Sequence, residues 1–307
     1  MTDKISARQP VTIWAFAAPL TTVLIWSGNA VVTKAAADVI SPGSIAFYRW
    51  ALALLALVPF IGPAAWRNRA TARRFWSQLL MGGILGMVVY QCLAYVAAKT
   101  TTAINMGVIL ALMPLFSTLL ASVFAAERLT LARVIGGIIS VGGLIYLTSQ
   151  GNPLGLARNG VHVGDALMLV AVLANSLYGV MLKRWALPLP VWEQLFWQVL
   201  AATIVLIPIW LAGPISPITS ANLPLVLYAA LPTSLLAPAC WMIAINRLGA
   251  ARTALTINLL PVVVALLAWA TLGEQLRAYH YIGGGFALLG VVVGLKEWKR
   301  APEMSQP

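Results

Sequence analysis

The chain has 307 residues, of which 61% are apolar and 9% charged, with a formal net charge of +12 and two cysteines. Soluble domains carry about 25% charged residues, so this composition excludes a water-soluble enzyme and indicates a polytopic membrane protein. Continuous apolar runs rather than alternating ones exclude a barrel and leave helices as the spanning form.

Stretches able to cross a hydrocarbon core of about 30 Å predict ten transmembrane helices. They fall near 13–34, 43–62, 76–98, 102–126, 131–149, 163–184, 191–212, 222–246, 250–272 and 279–298. The first follows a polar head with Lys4 and Arg8 and precedes Ala35-Ala36-Ala37. It is longer than the roughly 7 to 15 apolar residues of a signal core, so it reads as a retained helix. On it Thr22, Trp26, Asn29 and Thr33 share one face, and Lys34 stands at the outer end. The second helix carries Arg49, a charge inside the apolar region whose stem can snorkel. Its expected role is structural, bonding backbone carbonyls of a neighbouring helix, with a substrate carboxylate as the alternative partner. The third carries Gln91 and Tyr95, four apart, with Tyr90 beside them. The fourth has Pro114 near its middle and Glu127 at its end, and the fifth is almost all apolar and glycine. The glycine-rich segment 151–162 follows as a linker. Asn175 and Tyr178 share a face of the sixth helix, and Ser234 and Trp241, with Pro238 between them, mark the eighth. The ninth repeats the fourth, with Asn258, Pro261 and Glu274, and the tenth has Gly290 and Gly294 in GxxxG spacing, suited to close packing. Cys92 and Cys240 both fall within predicted helices and give no disulfide framework.

Pro114, Glu127, Gly136, Gly137 and Gly143 recur 147 residues later as Pro261, Glu274, Gly283, Gly284 and Gly290. Ser27, Val31 and Lys34 recur at an offset of 149 as Ser176, Val180 and Lys183, and Cys92 with Lys99 recurs at 148 as Cys240 with Arg247. The chain therefore reads as one unit written twice: a first five-helix repeat over 1–150 and a second over 163–307. With the N-terminus in the cytoplasm, fifteen Lys and Arg residues lie inside and Lys34, Lys99, Arg158 and Arg277 outside. That bias predicts both termini inside, and five helices per repeat then place the second copy upside down relative to the first. Because the basic residues sit at alternate helix ends, a nucleic-acid partner is not implied.

Trp26-Ser27-Gly28-Asn29, Arg49, Pro114, Glu127-Arg128-Leu129-Thr130 and Gly136-Gly137, several in doubled form, resemble the EamA branch of the drug/metabolite transporter superfamily. The absence of a mid-membrane carboxylate and the Trp and Tyr content look most like its YddG-type amino-acid exporters. The resemblance implies ten helices as two inverted repeats, a bacterial-type inner membrane, and export of aromatic and other neutral amino acids by alternating access.

Polar groups within a bilayer point to the solute path. Trp26, Asn29, Gln91, Tyr95, Asn175, Tyr178, Trp241 and Asn258 are the expected substrate-binding residues, with interhelical hydrogen bonding as the alternative role of the amides. Pro114 and Pro261 each remove a helical hydrogen bond and are expected hinges. Glu127 and Glu274 are expected to be compensated by the N–H groups of the helix that follows each, with proton coupling as the alternative. Lys34 and Arg49 are the cations available to a carboxylate. Neutral or zwitterionic small solutes are the expected cargo and the lipid bilayer the expected partner. A facilitative channel or a carrier of drugs or other metabolites is the alternative. No nucleophile motif, metal-ligand cluster or cofactor loop is present to support an intramembrane enzyme.

Overall fold

The computed structural model describes residues 17–124, 131–155, 162–248 and 256–295, and no strand occurs among them. The helices are α1 (Ala17–Ala36), α2 (Pro42–Arg67), α3 (Trp76–Ala97), α4 (Ala103–Phe124), α5 (Leu131–Thr148), α6 (Val163–Trp185), α7 (Val191–Ala212), α8 (223–248), α9 (Leu260–Leu272) and α10 (Ala278–Leu295). A short helix, Arg69–Arg74, lies between α2 and α3. Six segments, α2, α3, α4, α6, α7 and Leu223–Trp241 of α8, are long and apolar enough to cross a membrane. The apolar parts of α5, α9 and α10 are shorter, at Val134–Leu147, Leu260–Leu272 and Ala278–Val293. Helix α1 has 20 residues, but its polar stripe keeps its mean hydropathy below that of the six.

Helix ends follow local chemistry. Ser41 caps α2 by accepting from Ser44 N–H (3.4 Å), and Pro42 at the first position needs no amide partner. Helix α6 ends where Ala186 turns left-handed (φ 41°).

The packing pairs elements that the repeat makes equivalent. Helix α2 packs on α7, α5 on α10, α1 on α9, and α4 on α6. At the α5–α10 contact, Ser140 Oγ donates to Ala287 O (2.9 Å), and these two positions are themselves repeat-equivalent. A Cβ on Gly283 would stand 2.8 Å from Gly143 O, and one on Gly143 would stand 2.6 Å from Gly283 O, so the backbones meet because both residues lack side chains. The equivalent pair repeats the contact, since a Cβ on Gly290 would collide with Gly136 O, and such reciprocity, residue i on j and the equivalent of j on the equivalent of i, is the pattern of a twofold interface.

Two segments depart from α-helical winding, Ile84–Val89 within α3 and Ala229–Leu236 within α8, and both are π-helical. They overlap at the offset of 148 that relates the two helices. In α8 the cause is local. Pro232 has no N–H to give, and Thr233 and Ser234 send their hydroxyls back five residues, to Tyr228 O (3.1 Å) and Ala229 O (2.9 Å). Such windings are rare and concentrate at functional sites.

Candidate functional site

Arg49 lies seven residues into α2, about 10 Å along the axis from Pro42. It is 3% exposed. Its Nε donates to Ser234 Oγ (2.9 Å), in the π-segment of α8, and its Nη1 to Gln91 Oε1 (2.9 Å) and Tyr95 Oη (3.4 Å) on α3. The guanidinium also lies 5.1 Å from the centroid of the Trp50 ring, whose Nε1 donates to Met87 O (3.1 Å). Side chains from both repeats hold it, where bonds to backbone carbonyls were expected. A cation at the centre of a spanning helix costs about 2.5–3.5 kcal/mol on insertion scales, an upper bound for Arg49, which lies nearer one end of α2. Hydrogen bonds from charged donors return about 1.5–3 kcal/mol each, enough to keep it there.

Gln91 and Tyr95 thus meet at Arg49, and Tyr95 is fully buried. Trp26 of α1 and Trp241 of α8 meet each other across the repeats, with ring centroids 5.5 Å apart at 43°. The polar stripe of α1 faces the same way, since Thr22 Oγ1 donates to Ala237 O of α8 (3.2 Å). Asn29 Oδ1, on that stripe, is buried with no hydrogen-bond partner among the described residues. Tyr178 stands apart from these aromatics: its ring lies against Gly86 and Gly82, and its hydroxyl donates to Gln198 Oε1 (2.8 Å). Of the four aromatics, Trp26 and Trp241 thus form a cross-repeat pair, while Tyr95 and Tyr178 are hydrogen-bonded separately. Gln198 stands where the repeat places the equivalent of Arg49, and it presses on the start of the other π-segment: a Cβ on Gly83 would be 2.6 Å from Gln198 O.

Pro114 and Pro261 do not kink continuous helices. Helix α4 breaks at Ala111 and Leu112, and Pro114 is the second residue of its second piece, Met113–Phe124. Pro261 is likewise the second residue of α9, after the single 3-10 turn Ile257–Leu259. A proline in the first turn of a helix forfeits no bond, so each ring starts a segment where a mid-helix position would strain one. The residue before each proline is tied across the repeats: Ser176 Oγ donates to Met113 O (3.3 Å) and Ser27 Oγ to Leu260 O (3.3 Å). Asn175 Nδ2 lies 3.3 Å from Met113 Sδ beside the first tie. The Asn258 side chain and Glu127 lie outside the described residues.

Glu274 corrects the expectation that the following helix compensates it. Gly273 (φ 66°) ends α9 in a left-handed turn, open to glycine, and this turn aims Glu274 at α4 of the other repeat. Its oxygens accept from Ala103 N–H (2.7 Å) and Ile104 N–H (3.1 Å), while Thr102 Oγ1 accepts from Asn105 N–H (3.1 Å). With Met106 N–H on Thr102 O (3.0 Å), the first four amides of α4 are all satisfied. Lys34 is also a cap: its Nζ donates to Ala98 O (2.7 Å) past the end of α3, where helical carbonyls are unpaired. Sequence reasoning missed Asp165, 2% exposed in the first turn of α6, which accepts from Thr101 Oγ1 and from Asn105 Nδ2 (3.2 Å). The legible signal was an acid in the first turn of an apolar run, where the helix dipole favours it.

Comparison with known proteins finds similarity over nearly the whole length. The chain is 25% identical over 259 residues to the uncharacterized transporter YyaM of Bacillus subtilis, covering 82% of this chain and 84% of that protein. It is 25% identical over 303 residues to a probable terminal-alkyne amino-acid exporter of Streptantibioticus cattleyicolor, covering 96% of this chain and 97% of that one. A crystal structure 22% identical in sequence shares the fold, with a TM-score of 0.62 over 95% of this chain and 99% of the other. The profile of the EamA-like transporter family matches twice, at residues 12–149 and 162–295. The protein is a multi-pass membrane protein that belongs to the EamA-like transporter family.

Proposed function

We propose that the chain carries neutral or zwitterionic small metabolites, aromatic and other neutral amino acids among them, out of the cytoplasm across a bacterial-type inner membrane. In this reading the ten helices all cross the membrane, both termini are cytoplasmic, and the two repeats are inverted. Alternating access arises as the repeats exchange conformations about the site between them. The observation that carries the reading is the buried polar cluster of Arg49, Gln91, Tyr95 and Ser234, drawn from both repeats and seated on a π-segment. Polar groups so placed mark a solute path, and the Trp26–Trp241 pair, one ring of which stands on the same helix as Ser234, offers aromatic faces to an apolar side chain. The amino-acid class draws support from the 25% identical exporter.

The test is purified protein in liposomes exposed to a panel of labelled neutral amino acids. Saturable uptake, inhibited by excess related solute, is expected; a linear ion current would indicate a channel instead, and product of altered mass an enzyme.

A further inference from the structure

Arg49 is a buried cation whose hydrogen-bond partners among the described residues are all neutral. The four acids among the described residues are placed elsewhere. Asp38 is exposed, Asp165 is held by Thr101 and Asn105, Glu193 by Asn68, and Glu274 by the start of α4. None of the four hydrogen-bonds Arg49. A guanidinium has five N–H donors in a planar fork. Here Nε and Nη1 are engaged, and Nη2 makes no hydrogen bond to the described residues. Burying an unpaired charge is expensive, and bidentate pairing with a carboxylate is the geometry the fork fits best. One positive charge among neutral dipoles is balanced by one negative charge, so a monoanion fits and a dianion would leave an excess.

Resting on the reading of the chain as an amino-acid carrier, we propose that Arg49 binds the carboxylate of the transported solute. The entering carboxylate takes Nη2 and displaces Gln91 or Tyr95 from Nη1, while Nε stays on Ser234. Loading the site thereby changes what holds α2, α3 and the π-segment of α8 together. Trp241 follows Ser234 by seven residues on α8, about 10 Å along the axis, so the helix that bonds Arg49 also carries one ring of the aromatic pair.

The experiment is counterflow of labelled phenylalanine in proteoliposomes, competed by phenylalanine, phenylalaninamide and 3-phenylpropionate. Losing a charge-assisted pair lowers affinity about 10- to 100-fold, so the amide is expected to compete that much more weakly than phenylalanine. The 3-phenylpropionate, which keeps the carboxylate and lacks the amine, is expected to compete. In Arg49→Gln the preference for carboxylate over amide should fall below about threefold, and Arg49→Lys, which keeps charge but not the fork, should lie between. Should Arg49→Gln fail to fold, Arg49→Lys and Gln91→Leu decide. The latter removes a competing acceptor and is expected to keep or raise the preference. An amide as potent as phenylalanine on the unaltered protein would overturn the carboxylate site and leave phenylalanine transport standing. A preference unchanged in Arg49→Lys or Arg49→Gln would overturn it too. Absence of exchange for phenylalanine and for every other amino acid of the panel would overturn the amino-acid reading and this site together.

Discussion

Replacing Glu274 by alanine removes both acceptors that hold the first two amides of α4, at 2.7 and 3.1 Å. Bonds to a charged acceptor contribute about 1.5–3 kcal/mol each, but Glu274 is only half-buried and water can reach part of the vacated site. The lower end, about 2–3 kcal/mol in total, is therefore the expected loss, above the roughly 1 kcal/mol typical of an ordinary cap. Thr102 still holds Asn105 N–H, so α4 should fray at its first turn and not unfold. The charge also complements the helix dipole, which makes Glu274→Gln an informative intermediate that keeps shape and loses charge. The assay is the temperature at which half the detergent-solubilised protein leaves the monodisperse peak on size-exclusion chromatography. At about 2–4 °C per kcal/mol for chains of this order, Glu274→Ala should shift the midpoint down by about 4–12 °C, with Glu274→Gln between it and the parent. A shift within about 1 °C for Glu274→Ala would refute the view that this carboxylate fastens the second repeat to α4.

Removing Trp241 takes one ring from a contact at 5.5 Å, where an aromatic pair adds about 0.5–1.5 kcal/mol beyond burial. Trp241→Ala should raise the apparent KM for an aromatic amino acid about two- to tenfold and raise that for threonine less, with membrane insertion intact; equal effects on the two would assign the ring to packing alone. Pro114→Ala and Pro261→Ala should lower transport rate more than folded yield, because a residue that can extend the helix backwards favours one of two states. Unchanged uptake in both would leave the prolines as passive helix starts. In a protein lacking Cys92 and Cys240, a cysteine at position 69 should resist an impermeant thiol reagent in intact cells, and its modification would reverse the orientation and remove the inverted-repeat reading.

Helical class, membrane solvent and the doubled plan were legible in the chain because they rest on local quantities. Apolar runs report the solvent, and the recurrence of Pro114 as Pro261 and of Gly143 as Gly290 reports duplication without any knowledge of contacts. Helical spacing also grouped Gln91 with Tyr95, since residues four apart share a face whatever lies opposite. Which groups meet across the repeats was not legible. Nothing in the spacing says that Arg49 meets Ser234, 185 positions away, that Trp26 meets Trp241, or that Glu274 caps α4 ahead of its own neighbour. The π-segments were hidden for the same reason. Pro232 and the hydroxyls of Thr233 and Ser234 are visible in the sequence, yet an open backbone ladder persists only where packing, here Arg49 on one segment and Gln198 on the other, supports it. The chain's own sequence determined what each helix is and that the set occurs twice, because periodicity and solvent preference act along a single helix. Tertiary structure alone decided which polar groups satisfy one another, because a buried donor in a membrane has no water to turn to and takes whichever acceptor the packing of the two repeats brings within 3 Å or so.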